Sequence, residues 1–203
     1  MLRKLDQKGM VNCEDSQIIT DFLNGDKNAY VLLYKKYVDE LYTYGKAFTS
    51  NTEQVKDAIQ DVFYKILCKK SLLENVHNLK CFLFISLKNR LIDMSRTVIT
   101  VNEDEYPMTS FTVNDVTVLD NLIEEENRRE ISRRIQSLLG QLTDRQREAV
   151  CLRYIYDMEY KEIAQILKME NEKSARNLVS RAIQKLKTEN VYFLFFLPLI
   201  KLN

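Results

Sequence analysis

Tyr160-Lys161-Glu162-Ile163-Ala164-Gln165-Ile166-Leu167, a few polar residues, and then Lys173-Ser174-Ala175-Arg176-Asn177-Leu178-Val179-Ser180-Arg181-Ala182-Ile183-Gln184-Lys185-Leu186-Lys187 decide the fold. In the first stretch Ile163, Ile166 and Leu167 have the spacing of one buried helical face. In the second, Ala175, Leu178, Val179, Ala182 and Leu186 again recur on a single face. The remaining surface carries Lys173, Ser174, Arg176, Asn177, Ser180, Arg181, Gln184, Lys185 and Lys187, five of them basic and none acidic. Two helices joined by a short turn, the second packed on one side and basic on the other, are the layout of a helix-turn-helix. The charged face can hold phosphates, and its hydrogen-bonding groups can meet base edges in a major groove. An amphipathic pair whose basic face is merely solvated has the same pattern.

Charge is unevenly spread around this segment. From Arg128 to Lys187 there are 14 Lys+Arg and eight Asp+Glu, a net of +6. From Thr97 to Asn127 there are eight acids and no Lys or Arg, a net of −8. The overall formal charge of +1 therefore conceals a basic helical part beside an acidic tether. A basic part of this kind can hold phosphates, while the acids must face solvent or a basic partner.

The rest of the chain reads as helical. Asn24-Gly25-Asp26 interrupts a first short helix, with Gly25 free to take the left-handed cap and Asp26 able to cap the next helix. Ala29, Leu32, Leu33, Tyr37, Leu41 and Tyr44 are expected on one buried face of that helix. Ser50-Asn51-Thr52, followed by Glu53 and Asp57, starts another, with Val55, Ile59, Val62, Phe63, Ile66 and Leu67 lining its inner side. Ser71 to Asn78 reads as a loop or loose turn. A further helix runs from about Leu79 to Arg96 through Phe82, Ile85, Asn89 and Ile92. Thr97 to Thr117 has no sustained period, contains Pro107 and reads as a linker. Helices resume near Leu119, and Leu138-Leu139-Gly140 ends one of them. Thr143-Asp144-Arg145-Gln146 is a capping box opening the next, through Ala149, Val150, Leu152 and Ile155.

Composition removes several classes. Four Gly and two Pro in 203 residues suit long helices and few turns. The single histidine, His77, and four cysteines without a CxxC pair leave no metal centre, and no phosphate-binding glycine loop occurs, so neither an enzyme nor a cofactor is expected. Cys13, Cys68, Cys81 and Cys151 read as reduced and mostly buried thiols of a cytoplasmic protein without a signal peptide.

The block Asp57-Ala58-Ile59-Gln60-Asp61-Val62-Phe63, then Leu79 to Phe82, then Lys88-Asn89-Arg90-Leu91-Ile92-Asp93 to Arg96, resembles region 2 of extracytoplasmic-function (ECF) sigma factors. Leu142-Thr143-Asp144-Arg145-Gln146-Arg147 followed by Tyr160 to Leu186 resembles their region 4. The likeness spans about Asp15 to Lys187 and is nearest the short subgroup common in Bacteroidetes. It implies an all-α chain of two small helical domains joined by an acidic linker. Region 2 would occupy residues 13–96, the linker 97–119, the region 4 helix-turn-helix 120–190 and an apolar tail 191–203. The implied function is initiation of transcription: core RNA polymerase and promoter DNA as partners, an anti-sigma factor as antagonist, and no membrane insertion.

On that resemblance Asp57, Gln60 and Asp61 dock on polymerase. Asn75, His77 and Asn78 lie in the loop that captures an extruded base of the −10 element, with His77 equally readable as a plain loop histidine. Lys88, Asn89, Arg90 and Arg96 would hold the melted strand, unless Arg90 pairs internally with Asp93 or Glu74. Lys173 to Lys187 would read the −35 duplex. The acidic linker would follow a path meant for RNA, or act as a plain tether.

Two features depart from the family. Lys168 stands where a glycine is usual in the turn, and Lys168 to Glu172 is one residue longer. The tail Val191 to Ile200 is apolar but only about half the ~20 residues a spanning helix needs, so it is expected to fold back or meet a partner. A stand-alone helix-turn-helix regulator and a helical adaptor remain as other classes.

Overall fold

A computed structural model describes residues 13–98, 111–112 and 135–189. The expected helix start near Leu119, most of the acidic linker and the apolar tail lie outside the described residues. Among those described, every regular element is helical: α1 (Cys13–Leu23), α2 (Lys27–Lys46), α3 (Thr52–Cys68) and α4 (Leu79–Val98) form a first unit. A helical segment over 135–140, α5 (Asp144–Tyr154), α6 (Tyr160–Ile166) and α7 (Glu172–Glu189) form a second. The expected all-α fold of two helical units is the one found.

Local signals set the helix starts in the first unit. Gly25 takes a φ of +98° between α1 and α2, where a side chain would strain the backbone. The Asp26 carboxylate then accepts from the Asn28 N–H at 2.8 Å, and Asn51 Oδ1 accepts from the N–H groups of Glu53 and Gln54. Lys36 binds Glu14 and Asp15 at 2.7 and 2.9 Å, and Tyr37 donates to Asp15 at 2.6 Å, tying α1 to α2. Gly45 lets α2 approach α3. A Cβ there would stand 2.6 Å from Val55 Cγ1.

Two expectations for this unit need correction. Leu32 and Leu67 are 55% and 46% exposed, not buried. At roughly 100° per residue each lies about a quarter-turn or more from the centre of its buried arc, beyond what the neighbouring helices cover. The stretch read as a loop or loose turn opens with a 3-10 turn, Lys70–Leu73, that brings Leu73 into the core. On α4 the fully buried residues are Leu79, Cys81, Leu83, Phe84, Leu87 and Leu91, with Phe82, Ile85 and Ile92 flanking them. The stretch 79–87 is apolar on most sides, so its period alone could not choose the inner face.

The second unit is built by caps. Thr143 and Gln146 form the reciprocal capping box anticipated for α5. Glu159 and Glu162 form another at α6. Past the end of α6, Lys168 has a φ of +50°. Its N–H donates to the Gln165 carbonyl at 3.2 Å and the Met169 N–H to the Ala164 carbonyl at 2.7 Å, the two bonds of a Schellman motif. The sharp turn is thus made without glycine, at the steric cost a Cβ pays in the left-handed region. Lys168→Gly is therefore expected to stabilise the chain by about 1 kcal/mol, read as a raised urea midpoint with an unchanged m-value.

The charge pattern does not anticipate that the two units share one core. Residues from α2, α3 and α4 and residues from α5, α6 and α7 belong to a single buried cluster. At the junction Tyr44 packs on Phe84 (4.6 Å between centroids), Phe48 (5.0 Å) and Tyr156 (5.7 Å), and Phe84 on Tyr156 (5.0 Å). Phe111, from the stretch read as linker, is buried against Tyr44 and Phe48. It is held by Thr112 N–H donating to the Ala47 carbonyl at 2.7 Å and by Arg147 donating to the Phe111 carbonyl.

Candidate nucleic-acid and partner interface

The surface groups fall into three faces. On α3, Asp57, Gln60 and Asp61 are exposed, on the side opposite Val55, Ile59, Val62 and Ile66. Asp57 and Gln60 lie open, whereas Asp61 binds Arg90 of α4 at 2.6 Å. Tyr64, 66% exposed, and Leu67 continue the same side. Among the described residues these two apolar side chains stand uncovered beside the polar ones. The sequence reading missed Tyr64 and misplaced Leu67.

The second face is the loop after the 3-10 turn and the α4 side next to it. Asn75, His77 and Asn78 are exposed. Asn78 has a local job: its Oδ1 accepts the Cys81 N–H at 2.7 Å and caps α4. Its side-chain amide also donates to Glu162 of α6. Asn89 is half-buried and Arg96 exposed. Arg90 is paired within the fold, with Asp61. A cleft of about 430 Å³ lies between α3 and α4, bounded by Lys65, Phe82, Ser86, Asn89 and the Asp61–Arg90 pair.

Lys88 is placed differently from its neighbours. Its Nζ lies 2.7 and 2.8 Å from the two oxygens of Glu148 on α5, and the lysine side chain is 16% exposed. Tyr44 donates to the same Glu148 at 2.6 Å. Burial, and then the Glu148 charge, hold the Tyr44 hydroxyl well above its usual pKa, so it stays a donor. Burial also pushes the Cys151 and Cys81 thiols up to about 12, with the Glu148 and Glu162 charges adding to it. Both stay protonated. Cys68, expected among mostly buried thiols, is exposed.

The third face is α7. It begins at Glu172, one residue before the expected start, so its first turn does contain an acid. Asn171 Oδ1 accepts the Ser174 N–H at 2.9 Å and starts the helix. Ala175, Val179, Ala182 and Leu186 are buried, and Lys173, Arg176, Asn177, Ser180, Arg181, Gln184, Lys185 and Lys187 are exposed, with Ser174 half-buried. Glu172 holds Arg176 at 2.7 Å, and the guanidinium sits 5.2 Å from the Tyr160 ring centroid. These contacts hold Arg176 against the start of α7 and the Tyr160 ring, with its side chain 61% exposed. Lys185 is turned back, donating to the Gln141 carbonyl at 2.6 Å. The others keep the outward direction that the apolar spacing implied.

Comparison with known proteins agrees with this geometry. Residues 132–186 match the family model described as Sigma-70, region 4. The structure of CnrH in complex with the cytosolic domain of CnrY is similar at a TM-score of 0.56 and 21% identity, over 86% of this chain and 95% of that one. The sigma factor RpoE in complex with the anti-sigma factor NepR, from Bartonella quintana, aligns over 76% and 92% at 20% identity and a TM-score of 0.49. At such identities the likeness to CnrH is one of fold. No curated protein matches the chain. Among the described residues no cluster of side chains is suited to a metal ion, and no helix is long and apolar enough to cross a membrane.

Proposed function

We propose that this chain is a sigma-type transcription initiation factor of the ECF kind. The observation that carries the reading is the outward basic face of α7, set on a helix-turn-helix whose sequence matches Sigma-70 region 4. Residues 13–96 serve as the polymerase-docking and −10 unit, 97–119 as linker, 120–190 as the −35 unit and 191–203 as an appended tail. Asp57, Gln60, Tyr64 and Leu67 form the polymerase face. Asn75, His77, Asn89 and Arg96 take the −10 strand, with Asn78, Lys88 and Arg90 joining once their present carboxylates let go. Its partners are core RNA polymerase, promoter DNA and an anti-sigma antagonist, and its place is the cytoplasm, where polymerase and template meet. CnrH, whose fold this chain shares, is itself seen bound by a partner's cytosolic domain.

Docking is tested by Asp57→Lys with Gln60→Ala. Asp61 is a poorer target, because changing it also frees Arg90. Holoenzyme formation with core polymerase is expected to weaken at least tenfold at unchanged helicity. Wild-type affinity in this double variant would remove α3 as the docking face. Duplex reading is tested by Arg176→Ala, expected to change which −35 sequences support transcription, at about 1–3 kcal/mol for a bidentate guanine contact. A uniform loss over a promoter panel would make Arg176 a phosphate contact. Tight, sequence-specific duplex binding by the chain without polymerase would favour a stand-alone regulator.

A further inference from the structure

On α7 one outward cation is held on two sides. The Arg176 side chain is largely exposed, yet its guanidinium lies 2.7 Å from Glu172 and 5.2 Å from the centroid of the Tyr160 ring. Tyr160 is the first residue of α6, set by the Glu159–Glu162 capping box, and is half-buried. A second guanidinium, that of Arg153 at the end of α5, stands 5.2 Å from the same centroid. Arg153 is itself fixed, donating to the Met158 carbonyl at 2.9 Å. The supports run from that loop carbonyl through Arg153 and the ring to Arg176. They bridge the long turn over 168–172, so the start of α7 is tied to α6 by side chains as well as by backbone. Among the described residues no ring or salt-bridge contact holds Lys173, Arg181 or Lys187, which are exposed on the same helix. A phosphate accepts a cation from many directions, so a mobile side chain serves it. A guanine edge takes a guanidinium only in its own plane, with two donors on O6 and N7. An arginine held in advance loses less side-chain freedom on binding and discriminates more sharply. Glu172 engages one N–H of Nη2 and leaves the fork's other donors for a base.

We propose that Tyr160 and Glu172 are positioning residues that hold Arg176 for a guanine edge, so that the base preference of α7 depends on a ring at the start of α6. The inference deepens the initiation-factor reading and rests on it, because that reading supplies the −35 duplex. Neither residue touches a base. Tyr160 sets the plane of the guanidinium, Glu172 sets its place along α7, and Arg153 steadies the ring from the other helix.

The test uses the full-length chain with core polymerase on a library of promoters randomised over the −35 element, with transcripts counted by sequencing. Arg176→Ala first identifies the base pair whose preference Arg176 carries. Discrimination is then the yield from that base pair over the mean yield from the alternatives. Tyr160→Leu, which keeps apolar bulk without the ring, is expected to lower discrimination about fivefold or more. Tyr160→Phe, which keeps the ring, should hold it within about twofold of the wild type. Glu172→Gln should lower it about twofold. Preference at the other −35 positions should stay as in the wild type, whereas a merely structural role for Tyr160 would lower all templates alike. Such a uniform loss in Tyr160→Leu, or an Arg176→Ala variant without effect at any single position, would overturn the proposal. Glu172 is exposed at the helix start, so its variant decides the matter should Tyr160→Leu not fold. Unchanged or raised discrimination in Glu172→Gln overturns the proposal as well. Transcription by the wild-type holoenzyme is scored separately. A library in which no template is used would remove the initiation-factor reading, and the role of Tyr160 with it.

Discussion

Tyr44→Ala is expected to cost about 3–5 kcal/mol of folding stability, the range for deleting a large buried aromatic. Tyr44 has no exposed surface and touches Phe48, Phe84, Phe111 and Tyr156, so truncation opens a hole bounded by both units and the intervening chain. It also strips Glu148 of one of its two donors. Against a typical total of about 5–15 kcal/mol, that leaves a marginal protein. Urea unfolding followed by far-ultraviolet circular dichroism measures it. A loss below about 1.5 kcal/mol would mean the four remaining rings can collapse onto the gap, and the junction would then be much softer than its packing implies.

The second large effect is expected at Arg147. Its guanidinium donates to the carbonyls of Leu139 at 2.8 Å and Leu142 at 2.9 Å, to the Phe111 carbonyl, and to Asp144 at 3.1 Å. These join the end of helical segment 135–140, the turn before α5 and the only stretch described between α4 and residue 135. Hydrogen bonds from a charged donor contribute about 1.5–3 kcal/mol each, and of the three carbonyls Leu139 keeps a backbone donor, the Leu142 N–H at 3.1 Å. Arg147→Ala should therefore cost about 3 kcal/mol or more. Arg147→Lys should recover little, because an ammonium group cannot present the planar fork. Amide exchange at Thr112, whose N–H is bonded to Ala47, reports the local consequence. Its protection should vanish in Arg147→Ala while the α2 amides keep theirs. Retained protection would show that Phe111 is held by its ring alone.

What could be read in advance divides by the range of the signal. Asp26, Asn51 and the Thr143–Gln146 box act within three residues of themselves, and each caps the helix expected of it. The α7 face was legible because Ala175, Val179, Ala182 and Leu186 leave one side for packing and the rest for solvent. Leu32 and Leu67 were misplaced because an apolar residue at the margin of a stripe is buried only if a neighbouring helix extends over it. Lys88 looked like any lysine on an exposed arc, since its partner Glu148 is 60 residues away. The junction had one visible trace. Ala149-Val150-Cys151-Leu152 is apolar on every side of α5, too wide a surface for a helix that packs on one face only. Phe111 left none, being one aromatic in a stretch without a period.

The junction also sets an order of events on the ribosome. The chain emerges from its N-terminus, so α1 to α4 are complete at Val98, 50 residues before Glu148 and 64 before Glu162 are made. At about 5–20 residues per second this interval lasts on the order of 3–13 s. Until it ends, Tyr44 and Phe84 lack the ring of Tyr156, and Lys88 and Asn78 lack the carboxylates that later hold them. A nascent first unit is thus born with its junction face uncovered, and the shared core is completed only when the second unit arrives.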